Sequence, residues 1–160
     1  MTTTKSVSIE ADKNVPLVRI TRDFASTPAQ LFRAHTEREL FAQWAGPDGM
    51  DNRIDYWDAR TGGSWRYVAR RDGQEFAFHG SFHEISPERL VQTFTYEGVP
   101  DGVALETLWF EDLGGGRTRL HAQSLVDSFE ARDAFLGSGM EVGIEQGYAK
   151  LDELLASGDV

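Results

Sequence analysis

Apolar and polar side chains alternate through the middle of the chain, a pattern typical of β-strands that bury one face. The alternation predicts strands over residues 17–24, 53–57, 64–71, 74–85, 89–96, 104–110 and 117–125. Short turn sequences, such as Asp72-Gly73 and the glycine run 114–116, join neighbouring strands. Strands connected by such short turns pair antiparallel, so we expect the middle of the chain to form one antiparallel sheet.

Helical spacing is found on both sides of this strand region. Thr27-Pro28 is a typical helix start, since a hydroxyl group caps the first turn and proline fits the first helical position. A second short helix is predicted to carry Trp44 and to be ended by Gly46-Pro47, and Ser128 is expected to start another. The first 16 residues are interpreted as a polar lead-in, and residues 17–157 as a single domain.

The last helix has the clearest pattern in the chain. From Met140 onwards its apolar residues recur every three or four positions and form one stripe, namely Met140, Ile144, Tyr148, Leu151 and Leu155. Such a stripe must be buried, and the predicted sheet is the only large partner available. We therefore predict an α+β fold in which the long C-terminal helix packs on the sheet.

Four stretches of sequence stand out in order along the chain: residues 20–47, 58–67, 79–94 and 139–156. They are similar to an opening strand with a helix pair that ends in Trp, an Asp-x-Arg-x-Gly-Gly-x-aromatic turn, a strand–Pro turn–strand and a closing helix. In these stretches the chain resembles the START-like helix-grip (SRPBCC) superfamily, and within it the heat-shock-protein-90 ATPase activator homologue family. The resemblance implies a helix-grip fold in the order β-α-α-β6-α, in which a curved antiparallel sheet wraps around the C-terminal helix.

The resemblance also implies a pocket for an apolar ligand, such as a lipid or a polyketide-like molecule, between the sheet and the last helix. Two positions depart from the family's pattern. Ala45 stands where a second aromatic residue often follows the Trp, and Ile144 stands where the closing helix often carries a Trp. Both are reductions in side-chain size, which would make the pocket roomier.

Aromatic rows on neighbouring strands supply candidate lining residues for this pocket. If the rows share the concave face, they meet the stripe of the last helix; the alternative is an ordinary packed core. Gly143 and Gly147 remove side-chain volume beside that stripe, although close packing of the helix explains them equally well. The candidate ligand-binding residues are Trp44, Trp65, Tyr67, Phe76, Phe78, Phe94, Tyr96, Met140, Ile144 and Tyr148.

Composition excludes several other classes of function. The chain has no cysteine, which removes disulfides and thiolate metal sites, and no His, Asp and Glu set has convincing metal spacing. No cofactor is therefore predicted. The net charge is −10, and an acidic surface repels phosphate backbones, so we expect no nucleic-acid partner. No apolar run is long enough for a membrane span, and the cytoplasm is the expected location.

Candidate catalytic groups are sparse. Glu106 lies in a predicted strand, and alternation leaves its facing ambiguous: a solvated strand residue is the favoured interpretation, and a buried acid is the alternative. His35 is attributed to a surface or satisfied position at a helix C-terminus. We assign no catalytic residue. The leading hypothesis is a small-molecule binding domain, and the alternatives are a cyclase- or hydrolase-type enzyme using the same cavity or a chaperone-interacting protein. The oligomeric state stays open between monomer and homodimer, since Val68, Val91 and Ile85 are expected on an exposed sheet face.

Overall fold

The computed structural model describes residues 7–160, which form strands and helices in the predicted order with one addition, a short strand before residue 17. The strands are β1 (Ser8–Ala11), β2 (Leu17–Phe24), β3 (Asp51–Trp57), β4 (Ser64–Arg71), β5 (Gln74–Ile85), β6 (Arg89–Tyr96), β7 (Ala104–Gly114) and β8 (Arg117–Leu125). The helices are α1 (Pro28–Thr36), α2 (Arg38–Trp44), α3 (Phe129–Leu136) and α4 (Met140–Ala156).

The strands form one antiparallel sheet in the order β1-β2-β8-β7-β6-β5-β4-β3. The sheet is curved, and the long helix α4 packs against it. The predicted α+β helix-grip fold is therefore confirmed. Because β2 pairs with β8, the first long strand extends the continuous run from β3 to β8 at its β8 edge.

Two glycine-containing turns explain why the strands meet where they do. At the β4–β5 hairpin both Asp72 and Gly73 have positive φ angles, 53° and 79°, which two-residue turns between twisted strands require. At the turn before β4, a Cβ atom on Gly63 would lie 1.9 Å from the carbonyl oxygen of Asp58. The Asp-x-Arg-x-Gly-Gly turn is therefore a close backbone approach that only glycine allows.

The structure differs from the sequence predictions at three places. Within the predicted polar lead-in, Ser8–Ala11 forms the edge strand β1 and pairs with β2, while residues 1–6 lie outside the described part. β7 continues past the predicted end at residue 110 to Gly114, through a register shift near its end. Val68 and Val91 are buried rather than exposed, so the prediction of an apolar outer face fails there.

The C-terminal half of α4 packs into a dense aliphatic core. Leu151 is completely buried, and it belongs to the same cluster as Val18, Leu31 and Leu120, which are also completely buried. Beside this core, the guanidinium group of Arg22 on β2 donates two hydrogen bonds of 2.9 and 2.7 Å to the carboxylate of Asp152 on α4. These contacts fix α4 on the sheet and thereby set the position of its N-terminal half.

Candidate functional site

A cavity of about 780 Å³ lies between the concave face of the sheet and the N-terminal half of α4. Residues of α1 and α2 close it from the side, among them His35 and Trp44. Its lining residues Asp48, Arg71, Ser138 and Val142 are exposed, so they mark the mouth. The mouth is therefore framed by the loop after α2, the end of β4 and the junction between α3 and α4.

One wall of the cavity consists of aromatic rings from three neighbouring strands. Tyr67 on β4 lies with its ring centroid 5.6 Å from that of Trp65 and 5.2 Å from that of Phe78. Phe94 on β6 continues the row at 5.3 Å from Phe78. Opposite the sheet, Trp44 stacks on Tyr148 of α4 at 6.1 Å. These contacts present ring faces and edges to the cavity, which suits an apolar or aromatic molecule.

Eight of the ten residues predicted from the sequence line this cavity: Trp44, Trp65, Tyr67, Phe78, Phe94, Met140, Ile144 and Tyr148. Phe76 and Tyr96 do not. Their rings lie 6.4 Å apart near the ends of β5 and β6, and Tyr96 is 37% exposed. The alternation along a strand assigns a residue to a face, but it does not say how far along the strand the helix covers that face.

A row of polar side chains crosses the floor of the cavity, and the sequence analysis missed most of it. Ser124, Glu106 and Gln92 are direct cross-strand partners on β8, β7 and β6, and all three line the cavity. The next row on the same face is apolar, since Ala122 pairs with Leu108 and Leu108 pairs with Leu90. Three polar groups are thus placed side by side within an apolar surface.

Glu106 is the charged member of this row, and the expectation that it would be solvated was wrong. Its accessible surface faces the cavity, and burial raises the pKa of its carboxyl group. Gln92 donates a 2.9 Å hydrogen bond from Nε2 to Oε1 of Glu106, which opposes that rise. The Ser124 hydroxyl group also lowers the pKa of Glu106, although it makes no hydrogen bond of ordinary geometry. Alternation alone left the facing of Glu106 ambiguous, and only its register with Gln92 resolves it.

Two tyrosines face the same space from opposite sides. Burial raises the pKa of Tyr67 on β4 and of Tyr148 on α4, and the nearby Glu106 carboxylate raises both further. Both phenol groups are therefore neutral hydroxyl groups in the physiological range. Glu106, Tyr67 and Tyr148 all line the same cavity.

His35 on α1 also lines the cavity, which corrects its assignment to a surface or satisfied position. Its Nδ1 atom donates a 2.7 Å hydrogen bond to the carbonyl oxygen of Leu31, and its Nε2 atom is buried without a partner. Burial lowers the pKa of His35 to about 4, so the ring is neutral and does not interact with the helix dipole as a cation. Nε2 is then an unused hydrogen-bond acceptor.

Three tryptophans near the cavity differ in the use of their indole N–H groups. Trp44 donates to the carbonyl oxygen of Ala34 at 3.0 Å, and Trp57 donates to that of Thr36 at 2.7 Å. The Nε1 atom of Trp65 is buried without a partner. Within residues 7–160, three of the four buried side-chain polar atoms that lack a partner belong to cavity-lining residues: His35 Nε2, Trp65 Nε1 and Ser124 Oγ. Unsatisfied buried groups are costly, so their concentration around one empty space calls for an explanation.

The glycines of α4 permit its close approach to the loop after α2. A Cβ atom on Gly147 would lie 3.2 Å from the carbonyl oxygen of Trp44, whereas one on Gly143 would lie 3.5 Å from Cδ of Pro47. The close-packing interpretation of these glycines therefore applies, with the loop rather than the sheet as the partner. Lys150 and Gln146 reinforce the contact through hydrogen bonds to the backbone of Pro47 and Asp48.

Residues 25–156 match the sequence profile of the family described as "Activator of Hsp90 ATPase homolog 1-like protein". The chain belongs to this family. The match covers most of the chain and confirms the resemblance found in the sequence. A search of curated proteins returned no match.

Solved structures of bacterial proteins share the fold. A crystal structure of a protein from Rhodobacter sphaeroides is 28% identical, covers 96% of this chain and 100% of its own, and has a TM-score of 0.85. A crystal structure of a protein from Chromobacterium violaceum is 25% identical, covers 87% of this chain and 96% of its own, and has a TM-score of 0.75. The AHSA1 protein from Silicibacter pomeroyi is 23% identical, covers 88% of this chain and 98% of its own, and has a TM-score of 0.72.

Across residues 7–160, His, Asp and Glu side chains form no group of three or more that is arranged to hold a metal ion. The helices in the same part of the chain are too short or too polar to cross a bilayer.

Proposed function

We propose that this protein binds an apolar small molecule, in particular one with an aromatic body, in the cavity between the sheet and α4. The observation that carries the proposal is the cavity itself, a space of about 780 Å³ lined mostly by aromatic and aliphatic side chains. Ligand sites of known proteins have volumes of roughly 300–1,000 Å³ and combine apolar walls with a few polar groups. Family membership supports the proposal, because helix-grip domains commonly enclose such a pocket.

The unpartnered polar atoms favour a ligand with polar groups over a purely hydrocarbon one. Trp65 offers an N–H donor, and His35 offers an acceptor, at two places on the wall. A molecule that hydrogen-bonds to both satisfies groups that no other residue of the described part reaches. The polar row of Ser124, Glu106 and Gln92 supplies further groups for orientation.

Ligand binding is tested by filling the cavity. Ile144→Trp places a large ring on the cavity side of α4, and we expect it to abolish the binding of naphthalene-based probes, measured by tryptophan fluorescence and thermal shift. Wild-type protein should bind these probes and melt at a higher temperature in their presence, because a ligand that binds only the folded state stabilises it.

Glu145→Trp is the matched control, since residue 145 is exposed on the same helix and does not line the cavity. It should leave probe binding unchanged. If no apolar probe raises the melting temperature of the wild-type protein, or if both Trp variants weaken binding equally, the proposal is wrong.

An enzymatic activity is the second candidate, and Glu106 is the observation that favours it. A carboxyl group with a raised pKa inside an apolar cavity is a typical general acid or base. Hydrolysis of naphthyl acetate to naphthol and acetate tests the hydrolase form. The enzyme hypothesis expects a rate above that of buffer that Glu106→Gln abolishes, and equal rates for the two proteins would contradict it. Chaperone interaction stays a prediction that rests on the family description alone.

A further inference from the structure

The charge at the centre of the cavity points to a more specific ligand class. We propose that the ligand is an organic cation, an apolar or aromatic body with a protonated amine, whose ammonium group pairs with the carboxylate of Glu106 between the ring faces of the cavity. This inference rests on the proposed binding function and extends it.

Glu106 differs from the other carboxyl groups with shifted pKa values in the described part of the chain. Five others have lowered pKa values, and each has an arginine partner: Asp12, Asp23, Asp55, Glu84 and Glu97. The Glu106 carboxyl is affected by burial, Gln92 and Ser124, with no cationic group of residues 7–160 among the causes. A cationic ligand would supply the missing counter-charge.

In the described part of the chain, Gln92 is the residue whose side chain makes a hydrogen bond of ordinary geometry to the Glu106 carboxylate, and this bond does not involve Oε2. The Gln92 amide holds Oε1 at 2.9 Å. Gln92 and Ser124 flank Glu106 on the neighbouring strands, so the carboxyl group is fixed in the middle of the sheet and directed into the cavity. An ammonium group that enters the cavity finds a positioned acceptor rather than a flexible one, which reduces the ordering cost of the ion pair.

The aromatic wall of the cavity also favours a positively charged ligand. Ring faces are negative, and a cation within about 6 Å of a ring centroid is stabilised by about 0.5–2 kcal/mol depending on its desolvation. Tyr67, Tyr148, Trp65 and Phe94 all line the cavity. The protein already uses this interaction in its core, where the Arg22 guanidinium carbon lies 4.6 Å from the Phe24 ring centroid and 5.7 Å from that of Tyr148. The net charge of −10 also attracts cations to the molecule.

The remaining charged and titratable groups around the cavity leave Glu106 as its central charge. Tyr67 on β4 and Tyr148 on α4 are neutral, since both have raised pKa values, and His35 on α1 is neutral above its pKa of about 4. Asp48 and Arg71 lie at the exposed mouth. Arg22, which faces Tyr148 from β2, is paired with Asp152.

The test compares two probes that differ in one group, naphthylmethylamine and naphthylmethanol, by isothermal titration calorimetry. We expect the wild-type protein to bind the amine about tenfold or more tightly than the alcohol at neutral pH. Glu106→Gln keeps the shape of the side chain and removes its charge, so it should bring the two affinities close together and leave the alcohol bound. Glu88→Gln makes the same change at an exposed turn position and should keep the preference.

A pH series gives a second measurement that does not depend on a variant. The amine stays protonated between pH 5 and 8, whereas Glu106 must lose its proton to pair with it. Because burial raises the pKa of Glu106, the affinity for the amine should begin to fall at a higher pH than it would with a carboxyl group of ordinary pKa, and the affinity for the alcohol should stay constant.

The possible results separate the two proposals. Binding of both probes with equal affinity, binding of the alcohol alone, or an amine preference that survives Glu106→Gln overturns the cation inference and leaves a ligand cavity in place. Failure of both probes to bind contradicts the proposed binding function itself, and the cation inference falls with it.

Discussion

The two halves of α4 face different surroundings, although one amphipathic stripe runs through both. In the C-terminal half, Leu151 is completely buried and Leu154 is 8% exposed, within an aliphatic core that includes Val18 and Leu120. In the N-terminal half, Met140, Gly143 and Ile144 line the cavity, and Val142 is 53% exposed. The C-terminal half of α4 is fully packed, and the N-terminal half borders the cavity.

This difference separates stability from binding along one helix. The aliphatic core holds α4 on the sheet, so the opposite end can leave a cavity without loss of the fold. The polar groups follow the same division. Arg22 beside the core is paired with Asp152, whereas His35, Trp65 and Ser124 around the cavity have buried atoms without partners. The unfavourable features are concentrated where a ligand would relieve them.

Truncation of a large side chain in each region gives the largest expected contrast. Leu151→Ala should lower the free energy of unfolding by about 2–5 kcal/mol, since it opens a void in a packed core. Phe94→Ala should cost less than about 2 kcal/mol, because the ring already borders the cavity and loses fewer contacts. Chemical denaturation measures both. Equal losses would mean that the cavity wall is packed as tightly as the core.

Acid should destabilise the protein through His35. Its pKa is about 6.5 in the unfolded chain and about 4 in the folded one, so the unfolded state takes up a proton first as the pH falls. The stability that the neutral ring provides above pH 6.5 is lost between pH 6.5 and 4, by about 3 kcal/mol.

The matched variant for this effect is His35→Gln, which has no titrating group. Unfolding free energies measured at several pH values should converge or cross as the pH falls from 6.5 to 4, since the wild-type protein loses more stability than the variant. Parallel curves would show that His35 titrates normally and is not buried.

Loss of the ion pair beside the core should have a somewhat smaller effect. Asp152→Ala leaves the guanidinium group of Arg22, whose side chain is 5% exposed, without the two hydrogen bonds of this carboxylate. We expect a loss of about 2 kcal/mol by chemical denaturation, because Asp152 is partly solvated and water can replace some of its contribution. Probe binding should change little, which would confirm that this end of the helix serves stability. A weakened probe affinity would contradict the division.

The smallest effect is expected at the mouth of the cavity. Gly143→Ala replaces glycine in a helix interior, and its Cβ atom would meet Pro47 at an ordinary distance of 3.5 Å. The free energy of unfolding of this variant should rise by about 0.5–1 kcal/mol, because alanine has a higher helix propensity than glycine. Gly147→Ala is the comparison, since a Cβ atom at residue 147 would lie only 3.2 Å from the carbonyl oxygen of Trp44. This close contact should cancel the increase in stability that helix propensity provides. A larger gain at 147 than at 143 would contradict the close approach of α4 to the loop.

The fold could be predicted from the sequence because its signals are local. The ends of β4, β5, β6 and β8 follow from turn residues such as Asp72-Gly73, and the start of α4 from the stripe that begins at Met140. β1 was missed because it has only four residues, Ser8–Ala11, a length over which alternation does not distinguish a strand from a polar lead-in, and only its pairing with β2 identifies it.

The site could be predicted only in part, because its polar members depend on register. The aromatic rows of the strands identified four of the lining residues directly, and the helical residues Trp44, Met140, Ile144 and Tyr148 supplied four more. Glu106 and Ser124 become significant only when β6, β7 and β8 align them with Gln92, and alternation within one strand does not contain that alignment. His35 was misjudged because its burial depends on Trp44 and Phe110, whose rings lie 4.9 and 5.5 Å away.

The location of a bound probe tests the account most directly. In NMR spectra of the protein with naphthylmethanol, which requires no charge pairing, intermolecular nuclear Overhauser effects report which methyl groups the naphthyl ring contacts. We predict effects to the methyl groups of Met140 and Ile144 and none to those of Leu151 and Leu154. A ring that contacts the Leu151 end of α4, or only the exposed surface, would contradict the claim that the open half of this helix forms the binding site.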